Sequence, residues 1–290
     1  MSVELFCQLV INGLALGLIY VLVASGLILV LGIARVFNFA HGEFYMFGAF
    51  TVYYVMAGAH LNFIIGLIAA LIVGALLGAI GYKAVFHYMR GDLLRCAAAS
   101  IGIGLILKQV ALLLFGSSNY GIARFFEGMI EIGGIRLSEG KLLVILLALL
   151  VVTGLYYLLF KTKTGKAMRA VSLDAKTASL LGINTVYIYL ITLIMGSGLA
   201  ALAGGIVAPL FMISTEIGSV MLLMVFTVLI IGGIESLPGA VVAGIILGQL
   251  QSFGYHFFTG DAELFLYCCV GIFLIFRPGG IFGAIVKEIY

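Results

Sequence analysis

Residues 32–48, GIARVFNFAHGEFYMFG, set Arg35, Asn38, His41 and Glu43 between two apolar runs. Polar side chains at membrane depth are costly unless they face a cavity or one another. Gly32 and Gly42 flank them and would let a helix break, which lipid tolerates only where the freed backbone is buried in protein or lines a cavity. One reading is therefore a broken helix on a solute path; the other is an interfacial turn with Arg35 and Glu43 among headgroups. His41 and Glu43 also make a pair of ionisable groups, but two residues are a thin proton relay. Residues 231–248, IGGIESLPGAVVAGIILG, repeat the pattern, with Gly232, Gly233 and Gly239 around Glu235 and Pro238. Paired broken segments in the two halves of a membrane protein point to a transport path.

A third polar stretch, residues 161–182 (KTKTGKAMRAVSLDAKTASLLG), carries five Lys and Arg against Asp174. Ala167, Ala170, Val171, Ala175, Ala178 and Leu181 recur at helical spacing and predict a small-residue face. Lys163, Lys166 and Arg169 form a basic flank. Asp174 is placed to cap a second short helix and Gly182 to end it. The stretch reads as two short helices lying under the membrane: either a connector, or a docking surface on which Ala and Gly let a partner approach closely. A lipid-binding helix would show Trp, Phe or Leu instead. Thr164-Gly165-Lys166 is no phosphate loop, because that motif's first glycine would fall at Phe160.

The elements that must carry these residues follow from composition. Of 290 residues, 15 are Lys or Arg and 12 are Asp or Glu, while 64% are hydrophobic; mean hydropathy is +1.29. So few charges cannot clothe a soluble surface, and so much apolar sequence excludes disorder. Apolar runs at 9–31, from 43 to about 59, 62–82, 97–115, 142–160, 186–210, 221–231, 241–258 and 263–276 predict about eight to nine spans. The fold class is all-α: a polytopic integral membrane protein with some helices broken, residues 1–290 forming one transmembrane domain. The first ten residues contain no Lys or Arg, so the first run reads as a retained span rather than a signal peptide.

The 39 glycines suit close helix packing in lipid, and small-xxx-small pairs occur at Gly13/Gly17, Gly74/Gly78 and Gly244/Gly248. Cys7, Cys96, Cys268 and Cys269 lack metal-ligand spacing and read as small buried hydrophobes. His60, His87 and His256 fall at helix ends. No HExxH, GxSxG or Cys/His metal pattern occurs, which argues against an intramembrane enzyme. A net charge of +3 is no case for nucleic acid. Basic residues at 83–95, 161–176 and in the tail after Arg277, including Lys287, place those segments and the C-terminus in the cytoplasm. Residues 116–141 are charge-balanced, with Arg124, Glu127, Glu131, Arg136, Glu139 and Lys141, and fit the outside. Nine spans then put the N-terminus outside.

Residues 35–44, RVFNFAHGEF, resemble the signature of the branched-chain amino acid permeases of ABC importers. Gly165-Lys166-Ala167-Met168-Arg169-Ala170-Val171, with Ala178 and Leu181-Gly182-Ile183-Asn184, is similar to the family's cytoplasmic segment. So are residues 196–204 and 232–240, and the matches run in order along most of the chain. Length and start resemble the shorter of the two permease subunits. The stretch Gly121-Ile122-Ala123-Arg124 departs from the more proline-bearing loop such a resemblance leads one to expect.

The resemblance implies a second related permease subunit, two cytoplasmic ATPase subunits that hold ATP and Mg, and an extracytoplasmic substrate-binding protein, in a bacterial or archaeal inner (plasma) membrane. It implies no cofactor in this chain. It implies transport of branched-chain or other neutral amino acids, urea, short amides or some aromatic acids. Asn38, His41, Gly42 and Glu43 are the expected path or gate, opposed by Gly232, Gly233, Glu235 and Gly239. Gly165, Lys166, Arg169, Asp174, Ala178 and Gly182 are the expected ATPase contact. A secondary transporter or channel for a small polar solute is the alternative; the scarcity of ionisable residues in the spans weighs against ion coupling.

Overall fold

A computed structural model describes residues 3–122, 128–132, 135–258 and 262–282. Arg124, Glu127 and Lys287 lie outside the described residues. The described helices in order are α1 (Val3–Ala34), α2 (His41–Tyr53), α3 (Phe63–Gly81), α4 (Leu93–Phe115), α5 (Glu139–Lys161), α6 (Lys163–Leu173), α7 (Ala175–Leu180), α8 (Thr185–Val207), α9 (Ile217–Gly232), α10 (Leu237–Phe257) and α11 (Ala262–Phe276). A π-turn extends α2 over Tyr54–Gly58, and another extends α3 over Tyr82–Phe86. Among the described residues six helices are long and apolar enough to cross a membrane: α1, α3 with its π-turn, α4, α5, α8 and α10. The shorter α9 and α11 are apolar too. The eight to nine expected spans thus resolve into six full-length helices and shorter segments. Within 116–141, read from sequence as a loop, an antiparallel hairpin pairs β1 (Met129–Ile132) with β2 (Ile135–Ser138), and α5 begins at Glu139.

α1 is the central helix. In its most apolar window 89% of residues are buried inside the bundle, against 17% for α4 and 22% for α5. Glycine makes that centre possible. Gly13 and Gly17 of α1 meet Gly244 and Gly248 of α10, and a Cβ on Gly17 would lie 2.8 Å from the Ile245 Cα. Gly74 and Gly78 of α3 pack on Ser197 of α8 in the same way. Lipid tails are as apolar as leucine, so it is this backbone approach that holds the helices together. Of the cysteines, Cys96 is buried; Cys268 stands exposed on α11 and is not the interior hydrophobe the sequence suggested.

The ends of α1 and α3, the starts of α4 and α8, and the α9–α10 junction lie at one end of the bundle, together with α6 and α7. Val36 packs there with Tyr82, Phe86 and Cys96. Tyr82 Oη donates to the Val186 carbonyl at 3.2 Å. At the other end the backbones of Tyr120 and Ile213 pair, tying the loop after α4 to the loop before α9.

Candidate functional site

The chain leaves α1 at Ala34, and Arg35 takes a left-handed turn (φ 51°). Gly32 is not the breaker: it is helical and faces open space. The break falls one residue after the helix ends, at an exposed arginine. Residues 36–40 then run back along the bundle without helical structure. Ser100 of α4 holds them. Its Oγ accepts from Phe39 N–H at 2.9 Å, and its one proton is shared between the carbonyls of Ala97 at 2.7 Å and Phe37 at 3.0 Å. Asn38 is 2% exposed, and its Oδ1 accepts from Ala40 N–H at 3.1 Å. Buried backbone outside a helix needs such partners, and these side chains supply them. Phe37 stacks on Phe226 of α9 and Phe39 packs tilted against it, centroids 5.6 and 5.0 Å away.

α2 therefore begins inside the bundle. His41, its first residue, is fully buried, and Nε2 lies 3.1 Å from the carbonyl of Val23 in the body of α1. A carbonyl only accepts, so Nε2 carries the proton, and Nδ1 is left buried without a partner. Glu43 sits in the first turn, 6% exposed, with Oε2 buried and unpartnered. A carboxylate there suits the positive end of the α2 dipole. Gly42 serves contact rather than breakage: it is helical, and a Cβ there would strike the Gly218 carbonyl in the first turn of α9. Two helix N-termini thus meet beside Glu43. Lys108 of α4 bonds Glu216, the residue preceding α9, at 2.7 Å, and both charges act on Glu43.

The other glycine-broken segment lies at the far end of α9. Gly232 closes α9 and Gly233 turns away with φ 103°. Ser236 accepts from Gly239 N–H at 3.0 Å to start α10. Gly232 and Gly239 touch backbone to backbone, so Pro238 and Gly239 lie in the first turn of α10 and do not break it. Glu235 is exposed. The two broken segments are not brought together; α9 links them, meeting Gly42 at one end and Gly239 at the other.

A cavity of about 1020 Å³ lies among α1, α9, α10 and α11. Ile217, Val220, Met221 and Met224 turn towards it, while Gly218 and Leu222 turn towards α2. None of Asn38, His41, Gly42, Glu43, Gly232, Gly233, Glu235 or Gly239 lines it. Tyr20 of α1 donates to Gln251 of α10 on its wall, and Gln251 donates to Tyr255 at 3.3 Å. Sequence reading passed over these groups and Ser100, although a lone Ser, Tyr or Gln inside an apolar run was a visible signal.

In residues 161–182, α6 and α7 are joined at Asp174, whose Oδ1 accepts from the N–H groups of Lys176 and Thr177 at 2.9 and 3.3 Å. These bonds and the Thr177 hydroxyl hold its carboxyl below the usual range. Gly182 (φ 85°) ends α7, with bonds from Gly182 N–H to the Ser179 carbonyl and from Ile183 N–H to the Ala178 carbonyl. Most of the small-residue face, however, points inward: Val171 and Ala178 are buried and Ala167, Ala170 and Ala175 half-buried, while Leu181 is exposed. Gly165, Met168, Val171 and Ala178 are buried, and a Cβ on Gly165 would strike the carbonyls of Leu158 and Leu159. Small residues there let the loop press on its own bundle. The outward surface is Lys166, Arg169 and Lys176 with Leu173, Leu180 and Leu181, each leucine about 80% exposed. Arg169 also lies over the Phe160 ring, 4.9 Å from its centre.

Long apolar helices, one of them interrupted inside the bundle, and a cavity among them define a multi-pass membrane protein. The chain belongs to the family described as branched-chain amino acid transport system, permease component, which matches residues 9–276. It is 30% identical over 295 residues to the high-affinity branched-chain amino acid transport system permease protein BraD of Pseudomonas aeruginosa, covering 96% of each chain. It is 30% identical over 297 residues to the corresponding protein LivH of Escherichia coli, again with 96% of each covered. In fold it is similar to PsaBC from Streptococcus pneumoniae, solved in complex with Fab, with a TM-score of 0.51, 16% identity, and coverage of 91% of this chain and 89% of that one.

Proposed function

We propose that this chain is the permease subunit of an ABC importer and forms the path for branched-chain or related small neutral amino acids. The observation that carries the reading is its end-to-end relationship to BraD and LivH, both named as branched-chain amino acid transport permeases. In this reading it pairs with a second related permease. Two cytoplasmic ATPase subunits bind ATP and Mg and dock on α6 and α7 through Lys166, Arg169 and the exposed leucines. A binding protein delivers the amino acid at the opposite end. The α6–α7 end and the C-terminus face the cytoplasm, in keeping with the basic residues there.

Closure of the ATPases displaces α6 and α7, and rigid-body motion of the helices switches access. α9 is the moving part. It is held by glycine contacts at its two ends, Gly218 on Gly42 and Gly232 on Gly239, and packed bundles shift between discrete arrangements rather than deform smoothly. Asn38, His41 and Glu43 gate the path at the start of α2. The positive dipole ends of α2 and α9 beside Glu43 favour a passing carboxylate. Gly233 and Glu235 form the hinge that lets α9 turn against α10.

Affinity purification of the tagged chain from its own host, followed by reconstitution, tests this. ATPase subunits are expected to co-purify, and the vesicles to take up leucine only with ATP inside the ATPase compartment. Ion-driven uptake by the chain alone would establish a secondary transporter instead.

A further inference from the structure

The cavity among α1, α9, α10 and α11 is lined by a pair of groups that the fold alone does not account for. Lys141 stands on the lining in the first turn of α5, where the helix dipole disfavours a cation. Its Nζ donates to Asn12 Oδ1 at 2.8 Å, and Asn12 also lines the cavity. Asn12 is neutral, and Lys141 belongs to neither of the two ion pairs among the described residues. A half-buried ammonium facing a largely apolar space without a counter-charge carries a desolvation cost. An anionic group arriving from the cavity removes it and gains a charge-assisted hydrogen bond.

The rest of the wall narrows the chemistry. Leu16, Ile19, Met221 and Met224 offer aliphatic and thioether surface, and methionine adapts to branched side chains of different shape. The Tyr20–Gln251–Tyr255 chain spends its hydrogen bonds internally and stays in place. Glu263 also lines the cavity and provides negative charge for an amino group, while Glu216, on the same lining, is held by Lys108. Glu263 makes no ion pair among the described residues. The volume, about 1020 Å³, holds an amino acid with some of its water. We infer that this cavity is a holding site for a zwitterionic aliphatic α-amino acid, with Lys141 and Asn12 receiving its carboxylate. The inference rests on the chain being an amino-acid permease, and it adds a site apart from the Asn38–Glu43 segment.

The test uses the assembled complex in lipid nanodiscs, with Cys7, Cys96, Cys268 and Cys269 replaced by alanine and Met221→Cys added. A charged methanethiosulfonate reagent is expected to label the new thiol. L-leucine, at about ten times its dissociation constant or more, is expected to slow that labelling at least about tenfold. Isopentylamine, which is leucine without its carboxylate, is expected to leave it unchanged. Lys141→Gln is expected to abolish protection while labelling persists, and Lys141→Arg to retain it. Equal labelling with and without leucine overturns the inference. So does a thiol that never reacts, because the cavity is then filled by lipid or by a partner's helix. ATP-driven leucine uptake is measured after the same preparations, and the complex without substitutions, are reconstituted into sealed vesicles with ATP inside and the binding protein outside. Uptake without protection overturns the holding site alone, whereas no uptake by the unsubstituted complex overturns the permease reading.

Discussion

Gly42 and Gly218 meet backbone against backbone: a Cβ on Gly218 would lie 2.8 Å from the Gly42 carbonyl oxygen. No side chain fits between the first turns of α2 and α9, so the contact sets where both helices begin. Gly218→Val is expected to force them apart and to cost about 1–3 kcal/mol, as overpacking does. Thermal unfolding of the detergent-solubilised protein reads this as a lowered Tm together with lost uptake. Gly32 is the control. It is helical with nothing near it, so Gly32→Ala is expected to be neutral or to stabilise by up to roughly 1 kcal/mol. An equal loss from both substitutions would mean that glycine content, rather than this contact, matters.

Ser100 is the support for the unwound segment before α2. Ser100→Ala removes the acceptor for Phe39 N–H and the hydroxyl proton shared by the Ala97 and Phe37 carbonyls, and a buried polar group left unpaired costs about 1–3 kcal/mol. Ser100→Thr keeps both bonds if its methyl is accommodated. We expect Ser100→Ala to depress the melting temperature and uptake together. Unchanged values for both would show that residues 36–40 hold their path without α4.

Glu43 and Asn38 separate gating from folding. Glu43→Gln keeps size and removes charge; Asn38→Ala removes the bond to Ala40 N–H. Both are expected to lower leucine uptake about tenfold or more, with ATPase association retained; tenfold corresponds to about 1.4 kcal/mol. Wild-type uptake in both variants would remove these residues from the path.

Asp174 starts α7 through bonds that favour its ionised form. Its carboxyl therefore ionises below the usual carboxylate range, so the cap is present above the ordinary carboxylate pKa and is lost as pH falls through the lowered one. From about pH 5 upward, exchange of the α7 amides, corrected for intrinsic rates, is expected to show no pH dependence from this residue. Asp174→Ala is expected to speed that exchange and Asp174→Asn to change it little. Equal acceleration in both would point to charge rather than capping.

Lys166 and Arg169 test the docking surface. Reversing both (Lys166→Glu with Arg169→Glu) is expected to abolish recovery of ATPase subunits on the tagged chain, while Gly165→Val is expected to destabilise the chain itself by driving α6 off α5. ATPase recovery after the double reversal would mean that the exposed leucines carry the contact alone.

The sequence by itself determined that the chain lives in a membrane, because its few charges leave no way to build a soluble surface. It also located the three polar stretches, since each charge in so apolar a chain stands out. Asp174 and Gly182 were legible for a further reason: a cap acts on residues two or three positions away, which spacing records. The place of the break after α1, at Arg35 and not Gly32, was decided only by the fold, because Ser100 lies 61 residues from the Phe39 N–H it holds. The direction of the small-residue face of α6 and α7 was likewise tertiary. Periodicity shows that a face exists, but which surface covers it depends on where Leu158 and Leu159 come to lie. Nor does local sequence pair Lys141 with Asn12, or Gly42 with Gly218. Those partners are set by the packing of whole helices, which depends on distant glycines together and on no one segment alone.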